Sequence, residues 1–188
     1  MTTPTRTSLA MFACAVVVAI ASAGCTNDNH LASADDRHGA RHDAASANDA
    51  NDSGVVVEVV DGDTVVLIIR ESREVVRLVG IDTPETKHPT KGVQCFGPEA
   101  TSFLTRLLTP GTAVRLERDL EARDTYQRLL LYVFVRTSRG ERFVNLELVA
   151  RGLAVPLSIE PNTRYQRLFV DAAFDAQLHS RGLWEACK

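Results

Sequence analysis

The sequence predicts an α+β domain: a five-stranded OB-fold β-barrel that carries three helices. Three observations predict it. β-Branched runs separated by short turn signals recur from Val55 onward. One helical pattern follows the third run, and two more close the chain. The resulting order, β-β-β-α-β-β-α-α, is that of a small Greek-key OB barrel.

Each element has a local cause. Val55–Val60 is β-branched and strand-like. Asp61-Gly62-Asp63 is a turn signal, and Thr64–Ile69 and Glu74–Ile81 are the second and third strands. Pro98 opens a helix with Ala100, Phe103, Leu104, Leu107 and Leu108 on one face, and Pro110-Gly111 ends it. Ala113–Glu117 and Leu129–Val135 are the fourth and fifth strands, the latter apolar apart from Tyr132. Asn145 is expected to cap a short helix with Leu146, Val149 and Ala150 inward and Gly152 as its stop. Asn162 or Thr163 is expected to cap the last helix. Its core face would be Tyr165, Leu168, Phe169, Ala172 and Ala176, and its stop Gly182.

The residues ahead of the barrel read differently. Arg6 precedes an uncharged run, Leu9–Ala21, that is too short to cross a bilayer, which needs ~20 apolar residues. Residues 1–24 are therefore read as a signal peptide, 25–54 as a disordered tether and 55–188 as the folded domain. Ala21-Ser22-Ala23 is a site for ordinary signal peptidase. Ala23-Gly24-Cys25 resembles the end of a lipobox, although Ser22 stands where Leu is usual. Lipidation of Cys25 gives an envelope-anchored protein, and ordinary cleavage gives a secreted one. The tether is rich in Asp, Asn, Ala and Ser without apolar periodicity, so it cannot offset its chain entropy by burial. His30, His38 and His42 are read as solvated tether residues.

Charge limits the partners. The chain has 21 Lys/Arg and 24 Asp/Glu, a net charge of −3. Residues 26–54 carry six Asp and two Arg, whereas residues 55–188 carry 18 acidic and 18 basic residues. A neutral domain lacks the strong positive field of a tight duplex-DNA binder, so any nucleic-acid contact rests on locally placed arginines. Cys14 lies in the signal region, leaving Cys95 and Cys187 as an even pair in an oxidising compartment. A disulfide between them would close a long loop, worth about 4–5 kcal/mol in the chain-entropy account. Two buried free thiols are the alternative.

Four carboxylates fall near strand ends: Asp61, Asp63, Asp82 and Glu85. Asp61 is read as a turn former. Asp63 and Asp82 sit at the edges of strands expected to be neighbours, and paired hard oxygen donors suit Ca²⁺. No His/Cys cluster lies near enough to suggest zinc. Arg77 interrupts an apolar strand, with Val75 and Val79 on its face and Val76 and Leu78 on the other. Guanidinium forks match the oxygens of a phosphodiester, and Arg128 approaches from another strand. Glu85 is then the group to orient or deprotonate water.

At these residues the chain resembles the staphylococcal nuclease family. The matching stretches are Val60–Thr64, Arg77–Pro89, Gly97–Ala100, Asp124–Arg128, Val144-Asn145 and Arg151–Ala154, in family order across 55–188. The resemblance implies that Asp63, Asp82 and the backbone carbonyl of Thr83 bind Ca²⁺. It implies that Glu85 is the general base, that Arg77 and Arg128 clamp the scissile phosphate, and that Tyr126 binds a phosphate. The implied reaction is endonucleolytic hydrolysis of DNA or RNA to 3′-phosphate products by a monomer, with single-stranded or denatured nucleic acid as substrate. Three departures stand out: Gln127 replaces Gly, Thr125 replaces Lys, and Val155–Glu160 lacks the family's base-stacking tyrosines. A positive φ at Gln127 would cost roughly 1 kcal/mol. Together these predict weaker substrate binding with intact chemistry. The alternative function is a catalytically idle OB module that binds nucleic acid or protein at the cell surface.

Overall fold

The fold is a computed structural model that describes residues 52–87, 90 and 92–188. The expected signal peptide, the lipidation site Cys25 and the tether as far as Asn51 lie outside the described residues.

Five strands close a barrel. They are β1 (Asp52–Asp61), β2 (Thr64–Ile69), β3 (Ser72–Leu78), β5 (Ala113–Arg123) and β6 (Leu129–Thr137). Antiparallel pairs run β3-β2-β1-β5-β6, and a parallel pairing of β3 with β6 closes the ring. β7 (Gly140–Phe143) extends β6 as a hairpin, and β4 (Gly80–Asp82) pairs with β8 (Val155–Leu157) in a small separate sheet. The helices are α1 (Gly97–Leu107), α2 (Val144–Ala150), α3 (Gln166–Leu178) and a single turn, α4 (Leu183–Ala186). This is the expected OB barrel, with helices added outside the closed sheet.

Inward residues of the strands supply the core. Val65, Leu67, Val76, Leu78, Leu131 and Val133 are fully buried. Alternation places Val76 and Leu78 inside and leaves Val75 exposed, as period-2 patterning requires. α1 buries Ala100 and Leu104, its C-cap Leu108 is buried too, and Phe103 and Leu107 pack at the margin. Tyr132, Phe143, Tyr165 and Phe169 form an aromatic cluster with ring centroids 4.6–6.3 Å apart at one end of the barrel.

Several elements depart from the sequence expectation. The third strand breaks at Val79: Gly80 takes φ 83°, and a Cβ there would lie 2.5 Å from the Phe169 ring. The chain therefore leaves β3 and starts β4 one residue later, which turns Asp82 toward a new surface. β1 begins at Asp52 instead of Val55, because Arg70 and Arg118 pair with the nearly buried Asp52 carboxylate. β5 runs to Arg123, well past Glu117, although its outer half is charged. Cross-strand partners hold that half: Arg123 forks onto Glu74, and Tyr132 donates to Asp119.

The expected helix caps are corrected too. α2 starts at Val144, so Asn145 lies inside the helix and is fully buried. Its Oδ1 accepts from Val133 N at 3.0 Å, and its Nδ2 donates to Val79 O at 2.9 Å. The break after β3 leaves that carbonyl without a ladder partner, and a buried carbonyl must find one elsewhere. Neither Asn162 nor Thr163 caps α3, whose first turn follows Tyr165 with no side-chain cap. Asn162 instead clamps both backbone groups of Glu121, at 2.8 and 2.9 Å. The inward residues of α3 are Phe169, Ala173 and Ala176, whereas Leu168 is exposed. α3 ends at Leu178, before Gly182, which instead precedes α4. Gly152 stops α2 as expected, with φ 66°.

Cys95 and Cys187 form a disulfide across 92 residues of sequence, with Cα atoms 5.9 Å apart. The paired expectation holds, and the free-thiol alternative does not.

Candidate active site

The register of β2 and β3 assembles the first half of the site. Thr64 lies opposite Arg77, so Asp63, one residue before, comes beside the arginine. Leu78 N donates to Asp63 O at 2.8 Å, fixing the turn against the end of β3. The break at Val79 then swings Asp82 back toward the same point. Arg77 Nη2 lies 3.1 Å from Asp63 Oδ2 and 2.8 Å from Asp82 Oδ1, so a carboxylate from the β1–β2 turn and one from the end of β4 converge on one nitrogen. Arg77 Nη1 donates to the carbonyls of Leu78 and Ile81 at 2.7 and 2.8 Å. Thr83 N and Oγ1 both donate to Asp63 Oδ2 at 3.0 Å. Asp63, Arg77, Asp82 and Thr83 are therefore one connected cluster. Asp63 and Thr83 are buried, and Asp82 is exposed.

The donors in this cluster are oxygens throughout. Among the described residues, no group of three or more His, Cys, Asp and Glu side chains is gathered for a metal. Two carboxylates and a carbonyl, completed by water, match the oxygen ligation of a hard cation and not a nitrogen–sulfur site.

Arg128 and Tyr126 come from the turn between β5 and β6. Asp124 builds that turn: its Oδ1 accepts from Tyr126 N and Arg128 N, both at 2.9 Å. Its Oδ2 accepts from Arg128 Nε at 2.7 Å. Burial alone would raise the Asp124 carboxyl, but the hydrogen bonds and charge of Arg128 hold it below the ordinary aspartate value. Gln127 adopts φ 66°, so the turn holds this residue in the left-handed region. The Tyr126 ring is 80% exposed and lies beneath the Arg128 guanidinium, 5.3 Å from its centroid.

Arg77 and Arg128 line one cleft of about 330 Å³, together with Thr125 and Tyr126. Leu130, Leu157 and Ile159 add aliphatic surface to the same cleft. Arginines and apolar side chains lining one cleft suit a phosphate joined to a flat apolar group.

Glu85 lies three residues beyond Asp82 on the same loop. Its Oε1 accepts from Thr86 N at 2.9 Å and Lys87 N at 2.7 Å. Its neighbour is Asp61, which the sequence reading took for a simple turn former. The structure gives Asp61 more to do. Its Oδ1 accepts from Gly62 N, Thr86 Oγ1 and Thr101 Oγ1 at 2.7–2.9 Å. Burial would raise this carboxyl; hydrogen bonding shared with Glu85, and donated by Thr86, Gly62 and Thr101, outweighs burial and lowers it. Asp61 thus pins the Glu85 loop to the turn after β1 and to α1. Sequence reasoning missed Asp61 and Asp124 as anchors. For Asp124 the signal was present, because an aspartate two residues before an exposed aromatic and four before an arginine is an Asx-turn pattern.

A closed five-stranded barrel whose strand ends gather carboxylates and arginines defines an OB-fold protein. A family model described as "Staphylococcal nuclease homologue" matches residues 75–186. The chain is 38% identical over 141 residues to the thermonuclease of Staphylococcus intermedius, covering 75% of this chain and 81% of that protein. It is 36% identical over 142 residues to the thermonuclease of Staphylococcus hyicus, with the same coverage of each. Endonuclease YncB of Bacillus subtilis (strain 168) matches at 36% over 127 residues, 66% of this chain and 58% of that protein. The chain belongs to the staphylococcal nuclease homologue family.

Proposed function

We propose that the protein is a calcium-dependent phosphodiesterase that cleaves DNA, RNA or both endonucleolytically and leaves 3′-phosphate ends. One observation carries this: Asp63 and Asp82 converge on Arg77 at the mouth of a cleft that Arg128 also lines. The names of the relatives, thermonuclease and endonuclease, support the same class.

Asp63, Asp82 and the carbonyl of Thr83 would hold Ca²⁺, and their all-oxygen chemistry fits it. When bound, Ca²⁺ there supplies positive charge to the phosphate oxygens as the transition state forms. The other roles belong to the chain. Arg77 and Arg128 bring positive charge to the non-bridging oxygens and stabilise the charge that develops on them. Glu85 orients a water and accepts its proton. The water oxygen bonds to phosphorus as the bond to the 5′-oxygen breaks, and that oxygen leaves as a hydroxyl after taking up a proton. Tyr126 donates its hydroxyl to a neighbouring phosphate, and the aliphatic surface takes a base. A neutral domain with these local arginines suits single-stranded or denatured DNA, or RNA, acted on by a monomer.

The same proposal includes location. Residues 1–24 direct export as a signal peptide, and 25–54 serve largely as a tether. Cys25 carries a lipid that holds the enzyme at the cell envelope; ordinary cleavage would release it.

The test is release of acid-soluble nucleotides from denatured DNA with Ca²⁺, with EGTA, and by Glu85→Gln. The proposal expects activity only in the wild-type protein with Ca²⁺. Equal rates in all three would end it in favour of an idle binding module.

A further inference from the structure

We propose that Gln94 and the Cys95–Cys187 disulfide form a positioning device for Glu85, so that turnover depends on the redox state of a bridge outside the chemistry. This rests on the role given to Glu85 above.

The connection is short and continuous. Glu85 N donates to Gln94 Oε1 at 2.8 Å, and Gln94 N donates to Glu85 O at 2.8 Å. Gln94 is therefore bonded to both backbone groups of the proposed base. The next residue is Cys95, which is joined covalently to Cys187. Gly97 N donates to Gln94 O at 3.1 Å, so the same residue also meets the start of α1.

The far end of the bridge has a firm seat. Cys187 N donates to Leu183 O at 3.0 Å, the last bond of α4. Leu183 N donates to Gly152 O at 2.8 Å, tying α4 to the end of α2. A Cβ on Gly152 would lie 2.1 Å from the Arg181 carbonyl oxygen, so the two backbones touch there. The bridge thus fastens the Glu85 segment to a packed part of the fold. It does so from the side of the metal-ligand candidates: Asp82, Thr83, Gln94, Cys95 and Cys187 line one cleft of about 290 Å³.

Both cysteines are solvent-exposed, so a reductant can reach them. A small dithiol reduces the bridge by exchange. One dithiol gives up two electrons and two protons, becomes a cyclic disulfide, and leaves Cys95 and Cys187 as thiols. Cys95 then loses its covalent tie to Cys187, and the segment carrying Gln94 is held against Glu85 by hydrogen bonds at an exposed surface. The metal and arginine cluster is anchored separately, through β2, β3 and β4. The device therefore acts on kcat and not on binding.

The experiment compares the full chain before and after reduction by dithiothreitol, with Ca²⁺ present and far-UV circular dichroism recorded at the assay temperature. Misplacing a base by about 1 Å is expected to lower kcat about 10- to 100-fold. KM and the Ca²⁺ concentration for half-activity should change less than about twofold, and reoxidation should restore the rate. Gln94→Leu, with the bridge intact, should lower kcat likewise, and Gln94→Glu, which keeps an acceptor oxygen, should rescue it. In Glu85→Gln, reduction should cause no further fall, because both changes act through one group. An unchanged kcat in folded, reduced protein overturns the proposal, as does an unchanged kcat in Gln94→Leu. If reduction unfolds the protein, Gln94→Leu decides. Full activity in Glu85→Gln would instead remove the catalytic reading on which this one rests.

Discussion

The two walls of the cleft are held in different ways. The wall from Asp61 to Glu85 is fixed at nearly every charged atom. Asp63 is bonded to Thr64, Thr83 and Arg77, Arg77 to two carbonyls and two carboxylates, and Asp61 to three donors. The looser wall, residues 124–128 and 155–162, rests on backbone turns that Asp124 and Asn162 secure and on the pairing of β8 with β4. It presents Tyr126, Leu157 and Ile159 largely to solvent. A charge that must sit within a fraction of an ångström of a reacting phosphate needs such over-determination; a surface that only accepts a base does not. The three departures from the family pattern, at Thr125, Gln127 and 155–160, all fall on the looser wall.

Four changes would break or sharpen this contrast, the largest first. Replacing both Cys95 and Cys187 by serine removes the covalent tie behind the fixed wall and should cost about 4–5 kcal/mol of stability. Urea denaturation measures it. Arg128→Ala tests whether the cleft arginines act on the transition state: kcat should fall about 100- to 1,000-fold, with little change in circular dichroism. Ile159→Tyr restores a flat aromatic surface on the looser wall. Stacking is worth about 1–3 kcal/mol per base, so KM on denatured DNA should drop about tenfold while kcat holds. A fall in kcat instead would show that the two walls are not independent.

The smallest effect is a pH dependence. The fold holds the Asp124 carboxyl below its unfolded value of about 3.9. That contribution to stability is complete above about pH 4 and is lost as pH falls through the lower folded value. Asp124→Asn should therefore be less stable than wild type near neutrality, by ~1 kcal/mol or less for a partly exposed pair, and the gap should close below about pH 4. Urea midpoints of both proteins across that range provide the check.

Much of this was legible in the chain because local signals agreed. The strand periods, the turn at Asp61–Asp63, the Pro98 helix start and the Gly152 stop each act over a few residues, and each held. What failed depended on distant partners. The outer half of β5 reads as a charged loop, and partners in other elements, among them Glu74, Asp52, Tyr132 and Asn162, make it strand. Asn145 has the composition of a cap, but the carbonyl it serves arises from a break in a different strand. Asp61 reads as a turn former because Thr86, Thr101 and Glu85 meet it only after folding. The candidate site shows the same division. The residues proposed for metal, base and phosphate stand in a recognisable motif, whereas Asp61, Gln94 and Asp124, which hold their segments, do not.

The most direct test is cleavage of an end-labelled, denatured DNA oligonucleotide, with the new ends identified. The account predicts internal cuts with Ca²⁺, 3′-phosphate and 5′-hydroxyl ends, and no cutting once EGTA removes the metal. Cutting that persists in EGTA, or products bearing 5′-phosphates, would contradict it.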